Sequence, residues 1–275
     1  MEPHRRTHRK GLQERGRLSL TFGSVIVARR REDVKLKIPN SVIVDGPLSL
    51  NECRNIGAAR LSTDLIAFID DDNLLAKDVL LEMAAPFTDG KVGAVSPLIF
   101  DRDNSVWFAG VRFTFCGMAA LDKSVPTGYR QTEAFHDVFM VRREAFEKAG
   151  GFDSKRFPFY MGEADLAERM KRLGYRFVVA PGAKVWHDIE PVRGIKSILR
   201  GSHIRSEKRA YLVGRNRLLF LRLYHPRRYL AHLFILPALA TLHILSIIAN
   251  RKFSFVRPYL RGVRDGVGNL AIAAN

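Results

Sequence analysis

The chain has 275 residues, 47% of them hydrophobic and 27% charged, with 45 Lys and Arg against 28 Asp and Glu and a net charge of +17. That apolar content excludes a generally disordered protein, and the length fits one large domain or one domain with an appendage. Two cysteines, Cys53 and Cys116, without CxxC spacing, exclude a disulfide framework and suit a reducing compartment.

In chain order, residues 1–17 are basic, and no apolar run follows them. They read as a disordered tail and not as a signal peptide. From 24 to 99, short β-rich runs alternate with helix-like spacers. "SVIVA" (24–28), "SVIV" (41–44), "LIAFI" (65–69) and "VGAVSPLIF" (92–100) predict strands. Residues 49–62 and 73–87 predict helices, the second with Leu75, Val79 and Met83 at four-residue spacing and Asn73 as cap. Such alternation argues for a mixed, mostly parallel α/β sheet with helices on both faces, where ligands bind beyond the carboxyl ends of strands. "VWFAGVRFTF" predicts antiparallel strands. "DVFMVRREAFEKAGGFD" predicts a strand, a short helix and a Gly-Gly stop. "EADLAERMKRLGY" predicts a helix with Leu166, Met170 and Leu173 on one face, ended by Gly174. "YRFVVAP" returns as a strand, and "AKVWHD" closes the body.

The excess of basic residues lies at the ends. Residues 193–228 carry eleven Lys and Arg against one acid, whereas 18–192 hold 23 basic and 24 acidic residues. The basic block leads into 229–249, which has no charged residue and is followed by Arg251 and Lys252. That length is enough to cross a bilayer, and the basic flanks suit anionic headgroups. The other reading is a buried helix, or a helical hairpin broken at Pro237. The expected organisation is a tail at 1–17, a body at 18–192 and a membrane-associating extension at 193–275. The aromatics are not interleaved with the basic run as a nucleic-acid stacking platform requires, so no nucleic-acid partner is expected.

The chemistry centres on "LIAFIDDDN". Asp70, Asp71 and Asp72 at a strand end form either a polar turn capping the next helix or a site for Mg²⁺ or Mn²⁺, hard cations that take carboxylate oxygens. Glu163 and Asp165 supply a second acidic position at a helix start. A metal clamp plus a general base is a transferase or hydrolase constellation.

"ECRNIGAARLSTDLIAFIDDDNLL", followed by "FMVRREAFEKAGGFDSKRFPFYMGEADLAERMKRLGYRFVVAPGAKVWHD", resembles family 2 glycosyltransferases of the GT-A fold over about 51–190. "AYLVGRNRLLFLR" (210–222) is similar to the segment after their catalytic domain. The resemblance implies a GT-A-like domain, a nucleotide-diphospho-sugar donor, a divalent metal and inversion at the anomeric carbon. It puts Asp70, Asp71 and Asp72 on the metal and ribose motif and His187 on a terminal histidine that in some members contacts metal or diphosphate, the other reading being an ordinary packing histidine. Glu163 falls on the catalytic base, Asp165 on a position that caps and orients the helix, and Arg54 and Asn55 either on a nucleotide-contacting position or on a plain helix surface. Gly162 departs from the family's acid before the base. Upstream, "SVIVARRRED" and "NSVIVDG" leave no room for the family's first helix. Either the first β–α unit is absent or the fold is locally shortened, and Asp33 or Asp45 becomes the candidate nucleobase acid. The expected function is transfer to a lipid-linked or cell-envelope glycan acceptor at the cytoplasmic face of the cell membrane. The alternative is a non-catalytic relic with a lost donor pocket.

Overall fold

The computed structural model describes residues 20–27, 38, 40–44, 46–187, 204 and 206–268. Along the chain run β1 (Phe22–Val27), β2 (Ser41–Val44), α1 (Leu50–Ala59), β3 (Leu65–Asp70), β4 (Asn73–Leu75), α2 (Val79–Ala84) and β5 (Val92–Phe100). Then come β6 (Val106–Phe108), β7 (Val111–Phe113), β8 (Ala119–Leu121), β9 (Arg130–Thr132), β10 (Phe139–Arg142), α3 (Arg143–Lys148), α4 (Gly162–Arg172) and β11 (Arg176–His187). Helices α5 (Glu207–Tyr224), α6 (Pro226–Ala249) and α7 (Val256–Gly268) complete the described chain.

One nine-stranded sheet has the order β2-β1-β3-β10-β5-β11-β4, with β6 on β5 and β9 on β11; β7 and β8 pair separately. Strand β1 is parallel to β2 and β3, and β11 is parallel to β5. Strand β10 runs antiparallel between β3 and β5, so its amino end meets the carboxyl ends of both. The strands read as apolar runs because both sheet faces are covered, and Val25, Ile66, Phe68, Val95 and Met140 are fully buried. The Phe68 ring packs 5.2, 5.6 and 5.5 Å from those of Phe139, Phe146 and Phe152. Truncating such a ring costs about 3–5 kcal/mol. Helix α1 opens with a capping box, in which Ser49 Oγ accepts from the Glu52 amide and Glu52 accepts from the Ser49 amide.

Three expectations are corrected. Residues 73–75 are a strand, not the first turn of a helix, and Asn73 is no cap. They pair antiparallel with β11, Leu75 against Val185 and Asn73 against His187. The helix starts only at Val79, after Asp78 in a left-handed conformation. A free edge on β11 outweighs the local helical period, because pairing satisfies backbone groups that the helix would leave to water. Leu173 lies past the end of α4 and is 48% exposed, while Leu166 and Met170 are fully buried. Pro237 does not break a hairpin; it sits inside the single 24-residue helix α6.

At the start of the sheet, β1 and β2 are both present, parallel and in register from Ser24–Ser41 to Val27–Val44. The link between them spans residues 28–40. Most of that link, including Asp33, lies outside the described residues, as do Asp45, the tail at 1–17 and 188–203.

Candidate active site

The sheet brings three chain segments to one edge. Strand β3 ends at Asp70, and the turn after it holds Asp71 and Asp72, both half-buried. Strand β11 ends at His187, whose Nε2 lies 3.7 Å from Asp72 Oδ2 and 3.8 Å from Asp137 Oδ2. Because Phe139 is paired with Phe68 in antiparallel register, Asp137 comes level with Asp70. Asn73 Nδ2 donates to the Asp70 carbonyl (3.2 Å) and to Asp72 Oδ1 (3.3 Å), which closes the aspartate turn.

Arg54 joins this edge to Glu163. Its Nη2 donates to Asp70 Oδ1 at 3.1 Å and its Nη1 to Glu163 Oε1 at 2.5 Å. The guanidinium is fully buried, 5.3 Å from the ring centroids of both Phe139 and Phe152. Arg54 therefore does not offer its charge to a nucleotide, as the family pattern suggested. It holds two acids in place. Asn55 is likewise engaged elsewhere, donating to the Phe152 carbonyl (2.8 Å) and accepting from the Phe152 amide (2.9 Å). That clasp fixes the chain just after the Gly150–Gly151 turn, where both glycines have positive φ.

The electrostatics follow from crowding. Burial pushes the Asp70 carboxyl up, Arg54 opposes this, and the charges of Asp137, Asp72 and Glu163 add to the rise, leaving it at about 7. Burial acts to raise Glu163 too, but the Arg54 charge, the His136 charge and the Arg54 hydrogen bond outweigh it and hold the carboxyl below its ordinary range. Burial acts to lower His136, yet its contact with Asp137 (Nδ1 to Oδ1, 2.8 Å), then Glu163 and Asp70, raise it to about 9. His187 is raised as well: burial opposes, and Asp72 and Asp137 prevail.

His136, Asp137 and Trp107 belong to this site and were not singled out in the sequence. The Trp107 ring lies 5.2 Å from that of His136 and 5.3 Å from that of His187. The available signal was "HD" directly before the apolar run 138–141, since an acid there meets the end of an antiparallel neighbour.

Among the described residues no group of three or more His, Cys, Asp or Glu side chains converges as a ready metal cage. The donor set still fits a hard divalent cation. Asp72 and His187 face each other beside an excess of carboxylates, and Mg²⁺ or Mn²⁺ uses one or two carboxylates and completes its shell with phosphate oxygens and water.

Two positions near Glu163 are structural. Asp165 is fully buried and caps nothing: the residue before α4 is Met161, with no side-chain cap. Its carboxylate accepts from Arg169 (2.6 Å) and from the Tyr224 hydroxyl (2.6 Å) of α5. Gly162 has no room for a side chain, because a Cβ would lie 2.0 Å from Asn51 Nδ2, which donates to the Phe157 carbonyl.

The sequence model described as Glycosyl transferase family group 2 matches residues 65–260, more than half of the chain. An N-acetylglucosaminyl-diphospho-decaprenol L-rhamnosyltransferase of Mycobacterium tuberculosis is 33% identical over 129 residues, covering 40% of this chain and 41% of that protein. An uncharacterized protein of Sinorhizobium fredii is 26% identical over 177 residues, 60% of this chain and 19% of its own length. The chain thus spans less than half of the length of either relative. The fold is similar to that of S. aureus TarS in complex with UDP-GlcNAc (TM-score 0.50, 11% identity, 90% of this chain and 80% of that one). It is also similar to GalNAc-T7 with UDP, GalNAc and Mn²⁺ (TM-score 0.50, 14% identity, 74% and 51%).

Proposed function

The chain belongs to family group 2 of the glycosyl transferases, and from that premise we propose that it moves a sugar from a nucleotide-diphospho-sugar to a lipid-linked or cell-envelope glycan acceptor. The observation that carries the reading is the meeting of Asp70, Asp72, Asp137, His187 and Glu163 at one sheet edge. The rhamnosyltransferase relative, by its name, works on a decaprenol-linked acceptor, which supports the acceptor class.

In this reading Glu163 is the general base. Arg54 grips Oε1 and orients the carboxylate, so that Oε2 takes the proton of the acceptor hydroxyl. The freed oxygen lone pair forms the new bond at the anomeric carbon from the side opposite the diphosphate. The old C–O bond breaks, its electrons leave on the nucleoside diphosphate, and configuration inverts. Asp72 and His187, with Asp70 and Asp71 behind them, would hold Mg²⁺ or Mn²⁺, which supplies positive charge for the diphosphate when bound. Glu163 is held below its ordinary pKa, so it is ionised and ready to accept a proton at neutral pH.

The membrane surface enters through α6, whose length and mean hydropathy of 2.0 would suffice to cross a bilayer. The opposite mode is favoured here. Leu230, Phe234, Leu242, Leu245 and Ile248 project from one side, with Phe234 88% exposed, while His232 and Ile247 on the other side are buried against the body. Arg227 and Arg228 lie in its first turn, and Arg251, Lys252 and the exposed Arg257, Arg261 and Arg264 follow it. That pattern suits a helix lying in the interface of an anionic leaflet, on the cytoplasmic face.

Calorimetry of the full chain with UDP-, GDP- and dTDP-sugars, with and without Mn²⁺, tests the proposal. Metal-dependent donor binding is expected in the wild type and in Glu163→Ala, and is lost in Asp72→Ala. Glu163→Ala lowers turnover by about 10²–10⁴-fold. Turnover indifferent to both substitutions sinks the proposal, and absence of metal-dependent donor binding marks a relic.

A further inference from the structure

Strand β6 brings Trp107 to the active edge through an irregularity in its pairing. Phe108 lies opposite Ile99 and Val106 opposite Phe100, so Trp107 is the extra residue of a bulge. A bulge bends its strand and re-aims a side chain, and bulges concentrate beside active sites. The re-aimed indole lies 5.2 Å from the His136 ring, edge to face, and 5.3 Å from the His187 ring. It is half-buried, and its N–H makes no hydrogen bond among the described residues, although the nitrogen is not sealed from solvent. Trp186, by contrast, donates its N–H to Asn104 Oδ1 at 2.8 Å and stacks on Phe100. Packing accounts for Trp186 and leaves the donor of Trp107 unused.

The two histidines that Trp107 touches mark the two ends of an in-line displacement. His187 stands with Asp72 at the end where the diphosphate leaves. His136 stands near Glu163, where the acceptor hydroxyl attacks, and the charge of each acts on the other. The anomeric carbon must lie between these ends, and the indole borders that path. Its electron-rich face suits the polarised C–H groups of a sugar ring. It also suits the positive charge that gathers at the anomeric carbon as the bond to the leaving group stretches. The indole N–H adds a polar handle at the rim of an otherwise apolar surface.

We propose that Trp107 is the platform for the sugar being transferred, with its face against the ring and its N–H on a sugar hydroxyl. The assignment rests on the transferase reading and adds to it a residue that recognises the donor's sugar and not its nucleotide.

Calorimetry of the full chain with Mn²⁺ tests it by comparing UDP-GlcNAc, GDP-mannose and dTDP-rhamnose with UDP, GDP and dTDP. For the nucleotide that binds, Trp107→Ala should weaken the nucleotide sugar by about tenfold and leave the nucleoside diphosphate within about twofold. Trp107→Phe, which keeps an aromatic face, should retain most of the affinity for the nucleotide sugar. A loss equal for nucleotide sugar and nucleoside diphosphate would mean that Trp107 only props His187, and no loss for either would mean that it touches neither; both results overturn the assignment. Should Trp107→Ala fail to fold, Trp186→Phe leaves Trp107 as the one tryptophan remaining of two. Its emission must then move further to the blue with the nucleotide sugar than with the nucleoside diphosphate, and identical spectra overturn the assignment as well. A wild type that binds no nucleotide sugar with Mn²⁺ removes the transferase reading beneath it, whereas donor binding that ignores Trp107 removes the platform alone.

Discussion

Replacing Arg54 by Met removes a fully buried cation while keeping much of its volume between Phe139 and Phe152. Two carboxylates, Asp70 and Glu163, then lose their partner at 3.1 and 2.5 Å. Breaking a buried pair from one side costs about 3–5 kcal/mol. The lost cation–π contacts fall within the same perturbation and do not add in full. The expected loss at pH 8 is therefore about 3–5 kcal/mol, a fall in Tm on the order of 10 °C. The pH dependence has a definite sign. In the wild type Glu163 sits below its ordinary 4.5, so its contribution is full above that value and is lost as pH falls through the lowered folded value. Without Arg54, burial and neighbouring acids raise Glu163, and Asp70, already near 7, rises further. The variant is thus penalised most at pH 8 and recovers as the acids take up protons toward pH 5. Urea unfolding followed by tryptophan fluorescence at pH 5, 6.5 and 8 measures the gap. A gap below about 1 kcal/mol at pH 8, or one that widens toward pH 5, refutes the reasoning.

Other positions give sharper local tests. Gly162→Ala puts a Cβ 2.0 Å from Asn51 Nδ2 and should cost about 1–3 kcal/mol in urea unfolding; Asn51→Ala in the same chain removes the clash, and no rescue would mean that another contact fixes Gly162. Asp137→Asn should weaken Mn²⁺-dependent donor binding by about 10–100-fold, as loss of a group orienting His187, and unchanged Mn²⁺ titrations would remove Asp137 from the site. Phe234→Glu with Leu242→Glu should release the protein from anionic vesicles in a sedimentation assay while leaving Tm within a few degrees, because both side chains are exposed. Identical sedimentation would clear α6 of a membrane role.

The sequence disclosed the sheet and the aspartate edge because both are local: an apolar run ends, and acids begin. Position 163 was legible for a different reason, the order of motifs along the chain. What stayed hidden depends on pairing between distant segments. Asp137 faces Asp70 only through the antiparallel register of β10, and Asn73–Leu75 is a strand only because β11 offers an edge. Arg54 looked like a surface or nucleotide residue, since nothing nearby in sequence announces Phe139, Phe152 and Glu163 around it. Several motif letters turn out to be ties between backbone segments. Arg142 donates to the carbonyls of Phe87 and Val92, and Arg169 to that of Gly151. A motif thus marks where the fold is pinned as readily as where chemistry occurs.

The segment that delivers Glu163 shows how closely the two are joined. Tyr160 and Met161 are consecutive non-glycine residues in the left-handed region, with φ of 60 and 70°. Each costs on the order of 1–3 kcal/mol and persists only where its surroundings over-determine it. The surroundings come from two helices. From α1, Asn51 donates to the Phe157 carbonyl at 2.5 Å and Arg54 fixes Glu163 itself. From α5, Asn216 donates to the carbonyls of Phe159 (2.7 Å) and Tyr160 (2.9 Å), Arg215 to that of Arg156, and the Tyr224 hydroxyl to Asp165. The strained turn is therefore held as much by a helix beyond residue 206 as by α1. Helix α5 also supplies Arg217, which donates to the hydroxyl of that same Tyr160. The basic extension is for this reason part of what positions Glu163, and a chain cut after the sheet would keep its aspartates and release the turn from which Glu163 projects.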